Sequence, residues 1–234
     1  MIRRALTEGE LNGLPKYGLE AQKIRALLVS YGLKYDFCRF YVGEWSEGSA
    51  FLGGLNGSFV LSENGRCDFG ELTEFIEFVG ISELFCSESA GEQFALPRKK
   101  VNVMRFEGVG EQCSVETEPP LGEVYEVLKT AFDIEFEPWY LDMSHRVRHG
   151  VTAFRRLDGS VLAVQHNING EALLSQIATL PEKRGLGNAR RLISAVCAEL
   201  SDSRVYVVCE DALLGFYRSL GFHRTGAACL IFRE

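Results

Sequence analysis

Apolar positions at helical and strand spacing predict two α/β segments along the chain. The pattern of the first segment predicts helix 20–31, strands 36–42, 49–55 and 58–61, helix 68–79, and strands 83–86 and 99–106. The second predicts helices 121–132 and 139–148, strands 150–157, 161–167 and 172–179, helix 189–200, strand 204–209, helix 212–220 and strand 227–232. We therefore expect an α/β (α+β) protein with a mixed central sheet flanked by helices.

Between the two segments, residues 108–120 carry Gly, Glu and Pro without periodicity and end in Pro119-Pro120, which is typical of a linker. We therefore expect two domains, 1–115 and 116–234, of which the first is a smaller, shortened version of the second. No residue motif recurs between them, so we interpret them as related lobes rather than as a sequence repeat.

The bulk composition limits the partners and the compartment. The 234 residues include 46% hydrophobic and 24% charged side chains, and the net charge is -7 at pH 7, as in an ordinary soluble globular protein. No Lys/Arg stripe interleaves with aromatic residues, which argues against a nucleic-acid partner. Seven cysteines without a CxxC pair favour a reducing cytosol, and no apolar run approaches the ~20 residues that span a bilayer. We expect a soluble, cytoplasmic protein without a membrane partner.

The clearest chemical signal is the junction between strand 172–179 and helix 189–200. It consists of Lys183, Arg184, Gly185, Leu186, Gly187, Asn188 and Ala189. A strand that enters a glycine turn and then a helix leaves backbone N–H groups unpaired beside the positive end of the helix dipole. Such a turn can bind a diphosphate. A GxG pair alone is more typical of a helix start that uses glycine for packing, and a Rossmann turn is excluded because Arg190 stands at the third glycine position.

Two motifs in order resemble the GCN5-related N-acetyltransferase (GNAT) superfamily. Residues 182–187 are similar to its Q/R-x-x-G-x-G/A motif, and residues 214–222, Leu-Gly-Phe-Tyr-Arg-Ser-Leu-Gly-Phe, are similar to its ending A-x-x-x-Y-x-x-x-G-F. The resemblance covers about residues 116–234. Two positions depart from the pattern, since Glu182 replaces the first Gln/Arg and Glu210 stands where an Asn is often found.

The resemblance implies the GNAT fold and an enzyme that moves acetyl from acetyl-CoA to a primary amine of a small molecule or peptide. It implies that Tyr217 protonates the departing thiolate; an unperturbed tyrosine, with a pKa of about 10, carries that proton at pH 7. It also implies that the backbone of Ile177, Ala178 and Thr179 pairs with the pantetheine arm, with an N–H there polarising the acetyl carbonyl. The alternative for Tyr217 is a core aromatic residue.

The sequence offers more than one candidate for the general base that would accept the proton of the amine. Glu171 matches the glutamate that histone acetyltransferases of the superfamily use as base, although Asn169-Gly170-Glu171 also reads as a turn with an unremarkable exposed glutamate. Gln176 is an uncharged residue that could orient a water or substrate. No metal is expected, since His145 and His149 stand at i, i+4 without a third ligand.

The first lobe begins its second helix at residues 66–71, which contain no diglycine turn, so we expect no CoA site there. We interpret it as a degenerate GNAT-like lobe that either walls the acceptor cleft or mediates homodimerisation. The alternative function for the whole chain is a CoA-binding sensor or interaction module that has lost catalysis.

Overall fold

The computed structural model describes residues 1–233 and divides the chain into two compact units. Unit 1 comprises Met1–Asn102 and Gly226–Glu234, and unit 2 comprises Val103–Thr225. The division therefore falls before residue 103 rather than at the expected boundary of 115/116, and the end of the chain lies with the first unit. The sequence could not place this boundary, because the composition of residues 108–120 indicates irregular backbone but does not show which strand the last strand pairs with. That strand pairs with strand Glu83–Ser87 of unit 1.

Unit 1 is a sheet with helices. Its elements are β1 (Ile2–Arg4), α1 (Leu19–Tyr31), β2 (Cys38–Trp45), β3 (Gly48–Leu55), β4 (Ser58–Gly65), α2 (Phe69–Val79), β5 (Glu83–Ser87), α3 (Glu88–Gly91) and the start of β6 (Arg98–Phe106). Strands β1 to β4 pair antiparallel in chain order, and β4 pairs parallel with β5. Residues 228–232 of the last strand pair antiparallel with β5. The sheet is thus mixed.

Unit 2 follows the same plan. Its elements are α4 (Leu121–Leu128), α5 (Phe136–Arg148), β7 (Ala153–Leu157), β8 (Ser160–Ile168), β9 (Glu171–Thr179), α6 (Asn188–Glu199), β10 (Arg204–Cys209), α7 (Leu214–Arg218) and the start of β11 (Phe222–Phe232). Strands β7, β8 and β9 pair antiparallel, and β9 pairs parallel with β10. Helix α6 packs its apolar stripe on one face of this sheet, and α4 and α5 pack on the other. The expected mixed α/β fold is confirmed.

Tight turns explain the antiparallel order. The turns Asn56-Gly57 and Asp158-Gly159 have positive φ at both residues, which is the geometry of a two-residue hairpin that matches strand twist. In the sequence, an Asn-Gly or Asp-Gly pair between two predicted strands is the usual signal for such a hairpin. Asp68, a residue type that commonly caps helices, starts α2, because its side chain accepts the N–H of Glu71.

The expected linker is instead an irregular segment that packs within unit 2. The N–H of Glu111 donates to Ser194 Oγ of α6 at 2.9 Å, and Glu116 bridges to Arg156 of β7. Gly110 lies so close to α6 that a Cβ there would clash with the backbone of Ser194 and Ala198. Glycine is therefore used for a close approach rather than for flexibility.

Smaller differences concern element ends. Apolar periodicity does not reveal the three-residue β1 or the four-residue α3, because a repeat is recognisable only over several of its periods. Helix α4 ends at 128 rather than 132, the predicted helix 212–220 is a 3-10 turn followed by α7, and β11 begins at 222 rather than 227. The described residues, 1–233, contain no helical stretch with the length and apolar character of a membrane span.

Candidate functional site

The candidate site in unit 2 begins where two parallel strands stop pairing. The β9–β10 ladder runs from Glu171↔Arg204 to Leu174↔Val207 and then ends, although β9 continues to Thr179 and β10 to Cys209. The edge of β9 from residue 175 onward therefore lacks a β10 partner. An extended ligand can pair with such an edge through main-chain hydrogen bonds.

Helix α6 begins at the end of this unpaired edge. Its N-cap is Gly187, with φ of 81°, and no side chain caps it. Among residues 1–233, no group accepts the backbone N–H of any residue from 185 to 190. These donors lie at the positive end of a 12-residue helix. The arrangement is suited to an anion such as a diphosphate.

The two glycines of the turn are exposed to open space. Gly185 and Gly187 have φ of 79° and 81°, and a Cβ at either would meet nothing within 4 Å. The packing interpretation of the GxG pair is therefore wrong, because neither glycine lies against a neighbouring element. They are glycine for their left-handed backbone and because they keep the space above the N–H groups clear.

Basic side chains surround the turn, but most are already engaged. Lys183 pairs with Asp158 at 3.2 Å, and the Nε of Arg184 donates to the Thr179 carbonyl at 3.0 Å. Arg190 donates to the carbonyl and the hydroxyl oxygen of Ser219. These side chains support the turn while adding positive charge beside it. Leu186, between the glycines, is 63% exposed.

Asp158, on the β7–β8 hairpin, contacts the glycine turn through Asn188 and Lys183. Its carbonyl and carboxylate accept two hydrogen bonds from the buried Asn188 side-chain amide, at 2.9 and 3.1 Å. The ion pair with Lys183, more than any other contact, lowers the pKa of Asp158. Gly159 also accepts the N–H of Leu180 at 2.9 Å. The Asn188 side chain thus anchors the turn, and its backbone N–H is the group that points to no partner within residues 1–233.

Tyr217 lies in α7 and is 6% exposed. Its ring packs edge-on against Phe216 and Phe222, with centroids 5.2 and 5.6 Å away. In the part of the chain that the structure describes, no group hydrogen-bonds its hydroxyl. Burial, assisted by nearby Cys209, raises the pKa of Tyr217 to about 12. The residue is a core aromatic whose neutral hydroxyl remains available as a proton donor.

The predicted pantetheine strand is divided between the two faces of the sheet. Ile177 packs on the α6 side, and Ala178 is buried with α4 and α5. The hydroxyls of Thr179 and Ser160 lie 2.8 Å apart. The amide of Gln176 contacts α5, because its Oε1 accepts the indole N–H of Trp139 at 3.0 Å. One acceptor position of the Gln176 oxygen is therefore occupied by α5.

Glu171 is placed apart from the turn. It is the first residue of β9, is 4% exposed, and lies 3.4 Å from Arg204. At ~3.3 Å per strand residue, its Cα is roughly 25 Å along β9 from that of Thr179. The expected turn forms at residues 169–170, but the burial of Glu171 contradicts the expected exposure of its side chain. The structure therefore brings together residues 177–179 and 183–189 but leaves Glu171 at the other end of the strand.

Three residues of the site region escape the motif search. Asp158 and Arg190 support the turn, and Trp139 reaches the middle of β9. The Asp158-Gly159 hairpin is visible in the sequence, but its contact with the turn depends on strand pairing. Of the two neighbouring aromatic residues of α5, Trp139 is buried at 8% exposed, whereas Tyr140 is 39% exposed.

Comparison with solved structures shows which fold the chain has. A GCN5-related N-acetyltransferase from Sphaerobacter thermophilus is 14% identical, with a TM-score of 0.63, over 100% of this chain and 95% of that chain. One from Kribbella flavida is 13% identical, with a TM-score of 0.62, over 92% of this chain and 95% of that chain. A fungal glucosamine N-acetyltransferase region within a GH3 β-N-acetylglucosaminidase is 11% identical, with a TM-score of 0.59, over 99% of this chain and 38% of that chain.

The chain is therefore a mixed α/β protein of the acyltransferase type in its fold. Specifically, it has the fold of the GCN5-related N-acetyltransferases, which confirms the fold expected from the two motifs. At 11–14% identity these similarities establish the fold alone. No family model and no curated protein sequence matches the chain.

Proposed function

We propose that unit 2 binds acetyl-CoA and transfers its acetyl group to a primary amine. The observation that carries this proposal is the set of unpaired N–H groups over Gly185 and Gly187 at the start of α6. They fit the diphosphate of coenzyme A, and the unpaired edge of β9 fits the amide-bearing pantetheine arm that continues from it.

Transfer requires a neutral amine, a polarised thioester carbonyl and a proton for the leaving thiolate. The amine nitrogen attacks the carbonyl carbon, the carbon–sulfur bond breaks, and the sulfur takes a proton. Tyr217 is suited to donate that proton because its hydroxyl is neutral and has no partner within residues 1–233. The proton lost by the amine passes to water or to a base. Glu171 stays the predicted base, but it is 4% exposed and lies at the opposite end of β9 from residues 177–179.

Unit 1 is proposed to be a second, degenerate GNAT-like lobe without a CoA site. Its β4–α2–β5 order matches β9–α6–β10 of unit 2, including the parallel strand pair. Its role beside unit 2 stays a prediction. Within residues 1–233 no disulfide links any of the seven cysteines, which supports the expected reducing, cytoplasmic location.

The decisive experiment combines binding with turnover. We expect acetyl-CoA to bind in calorimetry and thiol release to appear with at least one member of an amine panel that includes glucosamine, polyamines and peptide N-termini. Gly185→Ala should weaken acetyl-CoA binding at least tenfold. Gly170→Ala is the matched control, because Gly170 has φ of 74° and equally open surroundings in the same unit but lies at the β8–β9 hairpin.

The outcomes separate the alternatives. Binding without turnover on any amine would support the CoA-binding sensor. Equal binding by both glycine variants would contradict a diphosphate site at the turn.

A further inference from the structure

Gln176 has a strained backbone in the middle of β9. Its φ of 48° lies in the left-handed region, which non-glycine residues rarely adopt. The register passes from Ala163↔Ser175 to Val161↔Ala178, so Leu162 faces two residues of β9. This is a β-bulge, which re-aims the backbone groups that follow it. A left-handed backbone disfavours a non-glycine residue roughly tenfold, so surrounding contacts must hold it.

Helix α5 provides those contacts. The indole N–H of Trp139 donates to Gln176 Oε1 at 3.0 Å, and Gln176 Nε2 lies 3.8 Å from Met143 Sδ, one turn further along the helix. Trp139 is itself held firmly, because it is 8% exposed and packs against the rings of Tyr125 and Phe154. The anchor is therefore rigid.

The bulge follows directly on the end of the β9–β10 ladder. Within the described residues, neither ladder gives Gln176 or Ile177 a register partner. The backbone that the bulge re-aims is thus on the edge that the proposed pantetheine arm would occupy. Its orientation decides where a carbonyl-polarising N–H points.

Resting on the proposed acetyl transfer, we propose that Trp139 and Gln176 form a positioning pair. The indole of Trp139 holds the Gln176 side chain, the side chain holds the left-handed bulge, and the bulge aims the backbone at Ile177 toward the acyl carbonyl. Neither side chain touches the reacting atoms. The pair also ties α5 to the acyl end of the site.

The pair Gln176→Ala and Gln176→Gly separates backbone geometry from side-chain chemistry. Both variants lose the anchor, but glycine adopts positive φ without the penalty that alanine incurs. We expect kcat to fall roughly tenfold in Gln176→Ala and at most threefold in Gln176→Gly, with the KM for acetyl-CoA within twofold of wild type. Equal losses in the two variants would overturn the proposal, since a side chain acting directly would be missed equally in both.

Trp139→Phe removes only the donor end of the pair while keeping an aromatic ring. We expect a loss of kcat similar to that of Gln176→Ala, and no further loss when Trp139→Phe is added to Gln176→Gly, because glycine no longer needs the anchor. Additive losses in the double variant would show that Trp139 acts independently of the bulge, contrary to the proposal.

A spectroscopic readout tests the pair without enzymatic activity. The chain has two tryptophans, and each indole N–H donates to a side-chain oxygen, Trp139 to Gln176 and Trp45 to Glu71. In ¹H–¹⁵N spectra, Gln176→Ala should shift the Trp139 indole resonance and leave that of Trp45 in place. An unmoved Trp139 resonance would overturn the pair itself. If the wild-type protein bound no acetyl-CoA, the proposed function would be contradicted. The spectra would still show whether the hydrogen bond between Trp139 and Gln176 exists.

Discussion

Helices α2 of unit 1 and α6 of unit 2 each connect two parallel strands, yet their first turns are built differently. Helix α2 starts at Asp68, whose carboxylate accepts the N–H of Glu71 at 3.0 Å. Helix α6 starts at Gly187, which has no side chain that could accept the backbone N–H groups of the first turn of α6. The first arrangement satisfies the helix internally, and the second leaves the donors to an outside partner.

Glu71 closes the start of α2 further. Its carboxylate accepts the indole N–H of Trp45 at 2.9 Å and the N–H of Ile2 at 3.1 Å, and it lies 3.3 Å from the N-terminal amine. The hydrogen bond from Trp45 is the first cause of the lowered pKa of Glu71. Two carboxylates at this helix start stabilise the fold and repel an anion.

The contrast shows that a βαβ arrangement does not by itself make a phosphate site. At α2 the dipole interacts with acidic side chains of the chain, whereas at α6 the first turn contains no acidic residue. The difference is set by a few residues at each helix start, which makes it testable by substitution.

The largest expected effect is on catalysis in the unit with the open helix start. We expect Tyr217→Phe to lower kcat about 10²-fold or more, because a positioned general acid contributes that much. Acetyl-CoA affinity should stay within a few fold, since the ring remains. The same change at Tyr41, a buried tyrosine of unit 1 at 7% exposed, is the control and should leave kcat unchanged. Steady-state kinetics measure both variants, and full activity of Tyr217→Phe would show that Tyr217 does not donate the proton.

The next effect comes from making α6 resemble α2. Gly187→Asp places a carboxylate among the open donors, and Asp tolerates positive φ better than most residues. Calorimetry should show that acetyl-CoA binding weakens by more than tenfold through charge repulsion at short range.

Gly187→Asn is the matched control because it has the same shape without the charge. The ratio of the two dissociation constants isolates the electrostatic part, and we expect it to be about tenfold and to shrink at high salt. Identical affinities of the Asp and Asn variants would show that steric access, rather than charge, distinguishes α6 from α2.

The sequence predicts this contrast only in part. The two glycines and the Asp68 cap are local features, so periodicity and capping rules find them, and the elements around them follow from apolar spacing. The left-handed backbone at Gln176 lies beyond such rules, because it depends on the register of β8 with β9 and on α5. The same holds for Asp158, which becomes part of the site only through strand pairing.

The domain boundary shows the same limit. Residues 108–120 have the composition of a linker, but Gly110 lies against α6 and Glu116 bridges β7. Composition reports the backbone conformation that a segment can adopt. It does not report what the segment packs against.

A smaller effect tests whether the start of α2 serves folding. We expect Glu71→Ala to reduce the free energy of unfolding by about 1–2 kcal/mol at pH 7, since three contacts are lost at a partly exposed site. Because its folded pKa is lowered, the stabilisation by Glu71 is present above its ordinary pKa of 4.5 and is lost as pH falls through the folded value. Urea denaturation at pH 7 and near pH 3 should show the deficit shrinking in acid. A deficit that is constant with pH would contradict the ionic contribution.

The smallest effect concerns the body of α6 rather than its start. Burial raises the pKa of the Cys197 thiol to about 12 from an ordinary value of 9.0. Between these values the unfolded thiol ionises while the folded one stays neutral, so stability falls as pH rises above about 9. We expect Cys197→Ala to reduce the loss between pH 8 and pH 10 by about 1 kcal/mol in urea denaturation under reducing conditions. Cys113→Ala, at a half-buried cysteine of the same unit, is the control for removing a thiol. The cavity left by the smaller side chain has the same effect at both pH values, so it cancels when only the change in free energy of unfolding with pH is compared. Equal changes for Cys197→Ala and wild type would show that the buried thiol of α6 does not limit alkaline stability.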